Sequence, residues 1–349
     1  MSGVHLLGVG ATSLSRRARG SRPLAREAVA AALADAGVVA GEVDGVAIAA
    51  GDPEFDLGCF DVLGKARRPF RCRCGLGAIA LHSAWNAVSA GASDIVVCVG
   101  HDPPPAAGDP LAGIESRAAA AREYMQHFGA TEEHLARVAA KNRKHGASNP
   151  HAQLSTAVDP AEVLASEMLS WPLRRLMVAT PAQGAAAVVL GSHELGRSRG
   201  PRAPRVLASV LLDEDSRGGA TIARAARLGY FSAGLGPEDV DLAEIEDPTP
   251  VDELTAYEAL ELAPEGSAAE LVESGFTALG GVVPVNASGG SLSQGLLTGA
   301  GGILQLFELS LQLRDRAGQR QVPGARVGLG LAGSGMTAGT VTSLTILST

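Results

Sequence analysis

Two cysteines precede the glycine-rich start of an apolar helix in the segment RCRCGLGAIALHSAWNA, residues 71–87. Cys74 lies at the predicted N terminus of this helix, where free backbone N–H groups and the helix dipole favour a thiolate. Arg71 and Arg73 can add positive charge beside it. Cys74 is therefore a candidate nucleophile, although a small buried residue at a turn would give the same pattern. Cys72 is predicted to be a buried strand residue.

A second segment, VNASGGSLSQGLLTGAGG at residues 285–302, is rich in glycine. Glycine lets the backbone approach a ligand or another chain segment closely. The segment lacks the Gly-Lys-Ser/Thr of a phosphate-binding P loop. It therefore indicates either a ligand-binding turn or a glycine-packed helix start.

His101 is the histidine best placed for proton transfer. It follows the apolar strand SDIVVCVG, and active sites of α/β folds form at the carboxyl ends of such strands. An imidazole titrates near neutral pH, so His101 is a candidate base.

Composition excludes several classes of protein. The 349-residue chain carries a net charge of −8, which argues against a nucleic-acid partner. It has no stretch of about 20 apolar residues, and its N terminus lacks the features of a signal peptide, so we expect a cytoplasmic protein without a membrane span. The four cysteines suit a reducing compartment, and no second pair follows at zinc spacing, so no metal site is predicted.

The elements that must position these residues alternate between strand and helix. In the first half, strands are predicted at residues 4–11, 43–51, 93–100 and 184–192, and helices at 24–37 and 75–91. The βαβαβ order indicates a mostly parallel sheet covered by helices. Residues from about 101 to 181 interrupt the alternation and are predicted to be a helical insertion.

The second half repeats this order. Strands are predicted at residues 204–213, 241–247, 280–290, 325–335 and 340–348, and helices at 219–234, 249–260 and 296–313. A duplicated α/β fold with its site between the halves is expected, with domains 1–200 and 201–349. The boundary falls near the basic, proline-containing stretch RSRGPRAPR.

Several spaced motifs resemble those of the thiolase superfamily, in the branch of the sterol carrier protein X thiolases and lipid-transfer-protein-like enzymes. CGLGAIAL resembles the nucleophile turn Cys-x-x-Gly-x-x-Ala-Leu and puts Cys74 at the nucleophile position. REYMQHFGATEEHLARVAAKNRKHGASNPHAQ resembles the helical insertion of the family, and PVNASGGSLSQGLLTGAGG resembles Asn-x-x-Gly-Gly followed by Gly-His-Pro-x-Gly-x-x-Gly.

The resemblance extends over almost the whole chain and implies a thiolase fold of five αβαβα layers. Formation of a dimer is implied by the family alone. The implied ligand is an acyl-CoA or another acyl thioester, with coenzyme A entering as part of the substrate and no cofactor bound. The residues that the resemblance assigns to ligand binding are Asn286, Gly289, Gly290, Gly295, Leu296 and Gly299.

Three departures from the family pattern bear on the chemistry. Leu296 stands where the family has the His of Gly-His-Pro, and Glu246-Asp247 stand where it has His-Asp. Leu331 or Ala332 occupies the place of the second cysteine. Because each lost acid–base group costs about 10²–10⁴-fold in rate, ordinary thiolysis or Claisen condensation is not expected.

Three hypotheses follow. In the first, Glu246 or Asp247 is a new acid/base in a cleft with Cys74, as in a retro-aldolase or acyltransferase working with a small OB-fold, zinc-ribbon partner. In the second, the chain is a catalytically silent subunit that supports a thiolase homologue or such a partner. In the third, Cys74 alone transfers an acyl group from a thioester. The sequence favours an unusual thiolase-like acyltransferase or carbon–carbon bond enzyme that depends on a partner, as a homodimer or a hetero-oligomer.

Overall fold

The computed structural model describes residues 3–50, 52–64, 70–104, 113–198, 203–213, 219–333 and 341–349. Within these ranges nine strands form one sheet in the order β3-β2-β4-β7-β1-β8-β11-β10-β9, and β5 and β6 form a separate hairpin. The strands are β1 Val4–Ala11, β2 Gly45–Ala49, β3 Phe70–Cys74, β4 Ile95–Asp102, β5 Met168–Ser170, β6 Leu173–Arg174, β7 Gly184–Ser192, β8 Arg205–Asp213, β9 Leu242–Ile245, β10 Val327–Ala332 and β11 Val341–Ser348.

The helices of the described residues pack on both faces of this sheet. They are α1 Ser21–Ala36, α2 Pro53–Leu63, α3 Gly77–Ser89, α4 Ile114–Phe128, α5 Glu132–Gly146, α6 Pro160–Ala165, α7 His193–Ser198, α8 Ala220–Ala233, α9 Pro250–Ala259, α10 Ala268–Glu273, α11 Gly290–Gln294 and α12 Gly301–Leu313. Helices α4 to α6 make up the predicted insertion. Residues 199–202, within the predicted domain boundary, lie outside the described ranges.

The sheet consists of two half-sheets joined by a short antiparallel contact between β1 and β8. Helices α3 and α12 lie between the half-sheets and bury their apolar faces in a shared central core. Helices α1 and α2 cover the outer face of the first half-sheet. Helices α8 and α9 cover the outer face of the second, together with the insertion. The predicted five-layered αβαβα fold is therefore confirmed. The prediction of a mostly parallel sheet is wrong: the sheet is mixed, because β7 and β11 each run antiparallel to both of their neighbours.

Glycines allow the chain before α12 to cross the start of α3 and the end of β4. A Cβ atom at Gly100 would lie 1.9 Å from the carbonyl oxygen of Gly299, and one at Gly77 would lie 2.5 Å from it. The Gly77 amide also donates a hydrogen bond to the carbonyl of Thr298, at 3.0 Å. Only residues without side chains fit this crossing, which brings the two glycine-rich segments of the sequence together.

Two sequence predictions in this region are wrong. Residues 280–290 form a loop rather than a strand, because Pro284 has no N–H to donate and only Val285 bridges to Ala243. The helix predicted to begin at residue 296 begins at Gly301.

Candidate functional site

Cys74 is the last residue of the edge strand β3, beside the carboxyl end of its parallel neighbour β2. Ala49 of β2 pairs with Cys74 on one side and with Gly100 of β4 on the other. The half-buried thiol donates a hydrogen bond to the carbonyl oxygen of Leu76, with Sγ 3.3 Å away. Burial raises the pKa of the Cys74 thiol above its ordinary value. Helix α3 begins only at Gly77, three residues after Cys74, so Cys74 precedes the helix rather than opening it.

His101 does not face Cys74. Side chains alternate along a strand, and Val97, Val99 and His101 share the face of β4 that is covered by α1 and α2. The imidazole stacks on Phe55 of α2 with ring centroids 4.5 Å apart, whereas Cys74 packs against the central core on the other face. Neither ring nitrogen has a hydrogen-bond partner among the residues that the structure describes. This placement gives no support to His101 as a base for Cys74.

Asp102, which sequence reasoning missed, faces the central layer and holds the chain before α12. Its carboxylate accepts hydrogen bonds from the backbone N–H groups of Thr298 (2.8 Å), Gly299 (3.1 Å) and Ala300 (2.7 Å). The Thr298 hydroxyl adds another at 3.0 Å. The position of Asp102 at the carboxyl end of an apolar strand, where sites of α/β folds form, could have indicated that it contributes to the site.

Glu246 follows β9 and lines a small cavity beside the start of α12. The cavity has a volume of about 20 Å³, room for one water molecule, and is also lined by Gly290, Gly295, Leu297 and Gly301. The Gly333 amide donates a hydrogen bond of 2.8 Å to Oε2 of Glu246. Burial raises the pKa of the Glu246 carboxyl, and that amide opposes the shift.

Glu244 reaches the same cavity and was also missed. It lies two residues before Glu246 on β9, so both side chains project from one face of the strand. Oε2 of Glu244 accepts a 2.5 Å hydrogen bond from the Ser288 hydroxyl, and Oε1 accepts one of 3.0 Å from the Ser288 amide. Burial and the nearby charge of Glu308 raise the pKa of Glu244. The Glu-x-Glu spacing on a predicted strand could have revealed this pair.

Asp247 lies inside a buried polar network rather than in the cavity wall. Its Oδ2 accepts a hydrogen bond from Asn142 Nδ2 at 2.7 Å, and its Oδ1 accepts one from the Ser291 amide at 2.5 Å. Burial, and then the charge of Glu253, raise the pKa of Asp247 well above its ordinary value. With both oxygens bonded to protein, Asp247 positions the chain at Ser291.

The same network connects helix α5 of the insertion to the second half. Lys141 Nζ lies 2.5 Å from Glu253 Oε1 and donates to the carbonyl of Val285 at 3.0 Å. Asn286 donates from Nδ2 to Glu253 at 2.7 Å and accepts from the Ile245 amide at 2.7 Å. Asn286, assigned to ligand binding by the resemblance, is thus fully buried and engaged within the protein.

The other residues assigned to ligand binding have two placements. Gly290 and Gly295 line the cavity and adopt positive φ angles of 57° and 103°. Gly289 packs on the backbone of Gly146, Gly299 packs on β4, and Leu296 donates its amide to Thr180. None of these three residues lines the cavity, and the hydrocarbon side chain of Leu296 has no group for proton transfer.

An ion pair flanks Glu246 on the side of the insertion. Arg117 of α4 lies 3.5 Å from Oδ2 of buried Asp252, near the start of α9. The charges of Asp252 and Arg117 both act on the pKa of Glu246, raising and lowering it respectively. The insertion therefore brings a cation close enough to Glu246 for its charge to act on the carboxyl.

The described residues set limits on other chemistry. Among them, no group of three His, Cys, Asp or Glu side chains could hold a metal ion. No helix in the same ranges is long and apolar enough to cross a membrane. The arrangement offers carboxyl groups for proton transfer beside the N terminus of α12, where backbone N–H groups and the helix dipole favour negative charge.

Sequence comparisons connect this chain with thiolases. Residues 211–349 match the family described as Thiolase C-terminal domain-like. The sterol carrier protein 2 of Gallus gallus is 32% identical over 374 residues, covering 93% of this chain and 68% of that protein. An acetyl-CoA acetyltransferase of Methanothermobacter thermautotrophicus is 33% identical, covering 76% of each chain. The Homo sapiens sterol carrier protein 2 is 38% identical over 223 residues, a match that spans 60% of this chain but only 41% of that protein.

Solved structures share the fold. The structure of the Ltp2-ChsH2(DUF35) aldolase has a TM-score of 0.88 at 26% identity, and the match covers 99% of this chain and 97% of that one. A monomeric SCP2-thiolase-like protein of Mycobacterium smegmatis has a TM-score of 0.76 at 22% identity, covering 99% and 76%, which shows a common fold alone.

Proposed function

Because this chain belongs to the thiolase superfamily, in the sterol carrier protein X branch, we propose that it cleaves a carbon–carbon bond of a β-hydroxyacyl thioester. The observation that carries the proposal is the partly buried carboxyl of Glu246 beside the start of α12. Burial raises its pKa, which brings a carboxylate base closer to the range useful at neutral pH. The Cys74 thiol, with its own raised pKa, is poorly suited to attack a thioester.

The proposed reaction is a retro-aldol cleavage with Glu246 as base and then acid. The carboxylate accepts the proton of the substrate β-hydroxyl group while the O–H electron pair forms the carbonyl of a ketone or aldehyde. The electron pair of the Cα–Cβ bond moves onto the thioester, which becomes an enolate. Glu246 returns the proton to the α-carbon, so the products are the carbonyl compound and a shortened acyl thioester.

Backbone amides at the N terminus of α12 are the proposed donors to the enolate oxygen. The first N–H groups of a helix have no partner within the helix, and Gly301 lines the cavity beside Glu246. Asp102 supports these donors because it fixes Thr298, Gly299 and Ala300 immediately before the helix. Donors fixed in advance stabilise developing charge without reorganising during the reaction.

The partner and substrate proposals come from the resemblance and from the matched aldolase. The name of that aldolase joins Ltp2 to a DUF35 protein, ChsH2. We propose that this chain likewise acts with a small OB-fold, zinc-ribbon protein of that kind, and that its substrate is a coenzyme A thioester. The active unit contains two copies of this chain, as the family resemblance implies.

The test is an assay of carbon–carbon cleavage with β-hydroxyacyl-CoA esters, run with and without a DUF35 partner. Mass spectrometry of the products follows the ketone or aldehyde and the shortened acyl-CoA. Glu246→Gln keeps the shape of the side chain and is expected to lower kcat by about 10²–10⁴-fold. Cys74→Ala is expected to leave kcat close to that of the wild type.

Two outcomes would overturn the proposal. An acyl group attached to the wild-type protein but absent from Cys74→Ala, without cleavage products, would instead support acyl transfer through Cys74. Absence of cleavage and of acyl-CoA binding, with the partner present, would indicate a catalytically silent subunit, as the loss of the standard acid–base residues allows.

A further inference from the structure

A large cavity in the described part of the chain lies apart from the small cavity of Glu246. It has a volume of about 630 Å³, within the range of small-molecule sites, and separates α4 of the insertion from α8 and α9. Its walls are mostly apolar. The residues that contribute apolar surface include Ala119, Ala120, Phe128, Ala220, Ala223 and Val251.

The cavity is a long groove that follows α4. Its lining extends along this helix from Ser116 to Phe128, which at the rise of an α-helix is about 18 Å. The opposite wall follows α9 from Val251 to Ala259. Gly219 helps to keep the groove open, since a Cβ there would lie 3.2 Å from that of Ala259. The groove therefore suits an elongated ligand.

One end of the groove lies beside an ion pair whose charges act on the proposed catalytic carboxyl. Ser116 and Val251 line this end, and each is next in sequence to a member of the Arg117–Asp252 ion pair. The charges of that pair act on Glu246. The ion pair therefore lies close to this end of the groove and close enough to Glu246 for its charges to act on the carboxyl group.

The charges in the groove select against an anionic ligand. Three of its lining residues are glutamates, Glu123, Glu258 and Glu265, and among the described lining residues none is Lys or Arg. Tyr124 donates a 2.6 Å hydrogen bond to Glu258 and holds that carboxylate at the wall. The phosphates of coenzyme A would be repelled here, whereas an uncharged apolar group would not.

We propose that this groove binds the acyl part of the substrate distal to the reacting carbons, an uncharged, elongated apolar group about 18 Å long. This inference rests on the proposed function and specifies its substrate class. The acyl part extends outward between α4 and α9, and the coenzyme A arm lies outside the groove.

Binding of Nile red, a neutral dye that fluoresces in apolar surroundings, tests the groove without catalysis. Ala120→Trp would fill the groove from α4, and Ala223→Phe would fill it from α8. Each is expected to weaken dye binding by at least about tenfold, or 1.4 kcal/mol. Ala30→Trp on the exposed face of α1 is the matched control and should bind the dye as the wild type does. Unchanged binding in both groove variants, with native circular dichroism, would overturn the inference.

Displacement of the dye tests the charge argument. A long-chain alcohol is expected to displace Nile red at a lower concentration than the carboxylate of equal chain length. The double variant Glu123→Gln, Glu258→Gln should bring the displacing concentrations of the alcohol and the carboxylate closer together, because it removes two negative charges from the groove. Preferential displacement by the carboxylate from the wild type would contradict an uncharged ligand.

The cleavage assay separates this inference from the proposed function. Ala120→Trp should raise KM for β-hydroxyacyl-CoA esters with long apolar tails and leave KM for short ones unchanged. Suppose that cleavage depends on Glu246, but Ala120→Trp changes KM equally for the long and the short β-hydroxyacyl-CoA esters. That result would overturn the assignment of the groove and leave the proposed function intact. Dye binding in the groove without any cleavage, with the partner present, would overturn the proposed function and leave the groove as an apolar binding site that is not part of a cleavage reaction.

Discussion

His101 and Asp102 are neighbours at the end of β4, yet their side chains lie on opposite faces of the sheet. The imidazole of His101 stacks on Phe55 in the outer layer. The carboxylate of Asp102 enters the central layer and accepts backbone hydrogen bonds from the three residues that precede α12. The carboxylate, and not the imidazole, is therefore the polar group that β4 contributes to the site.

Asp102→Asn is expected to destabilise the protein by about 2 kcal/mol, because hydrogen bonds to a charged group are among the strongest in proteins. The amide NH₂ of asparagine would also face a backbone N–H that now donates to the carboxylate. Urea unfolding at pH 7 measures the change in free energy.

Asp94→Asn is the control for this substitution, since Asp94 is exposed at the other end of the same strand. It should change the free energy of unfolding by no more than about 0.5 kcal/mol. Equal effects of the two variants would show that Asp102 does not anchor the chain before α12.

Much of the layered fold could be predicted from local patterns. The strand predicted at residues 4–11 matches β1, and the helix predicted at 219–234 matches α8 within one residue at each end. Helix α2 was missed, although Asp52 caps it, Pro53 begins it, and Phe55, Cys59 and Leu63 have helical spacing. The glycine-rich loop before α11 was misassigned because Val282 and Val283 look like strand residues in isolation.

The site was harder to predict than the fold. The positions of Cys74 and Glu246 at strand ends followed from motif order. The protonation of the thiol depends on burial that sequence does not reveal. The face of His101 could have been predicted, since Val97, Val99 and His101 alternate with Cys98 and Gly100.

The thiol of Cys74 is expected to react slowly with iodoacetamide at neutral pH, since burial raises its pKa and the thiolate is the nucleophile. Its alkylation rate should still be rising as the pH passes 9, the ordinary value for a thiol. Mass spectrometry of the peptide containing residue 74, in a Cys72→Ser background, measures this rate. A rate that reaches its plateau below pH 8 would instead reveal an activated thiolate.

Lys141→Met is expected to destabilise the protein by about 3–5 kcal/mol, because it leaves the buried carboxylate of Glu253 without its cation. Urea unfolding at pH 7 measures the loss. Arg137→Met on the same helix is the matched control, because the Arg137–Glu133 pair is exposed and one helical turn apart. That variant should lose only about 0.3–0.5 kcal/mol. Similar losses in both variants would contradict a buried network between the insertion and the second half.

Asp252 is expected to make stability fall as the pH rises through the acidic range. Burial raises its pKa from 3.8 to about 6, against the opposing charge of Arg117. Between these values the folded protein binds more protons at this group than the unfolded chain does. Its stabilising contribution is therefore complete below pH 3.8 and lost as the pH rises through about 6, a change of about 3 kcal/mol.

Urea unfolding of the wild type and Asp252→Asn from pH 3.5 to 7.5 measures this contribution as a difference. The free energy of unfolding of Asp252→Asn, minus that of the wild type, should rise with pH by up to about 3 kcal/mol. Asp35→Asn is expected to show the opposite pH dependence: its free energy of unfolding relative to the wild type should fall as the pH rises. Burial alone would raise the pKa of Asp35, but hydrogen bonds from Arg314 and Arg316 outweigh burial and lower it. The stabilising contribution of Asp35 is therefore present above its ordinary pKa and lost as the pH falls. A difference in the free energy of unfolding that does not change with pH for Asp252→Asn would show that the carboxyl beside Arg117 titrates normally, because a normal pKa in the folded protein gives this group no pH-dependent contribution to stability.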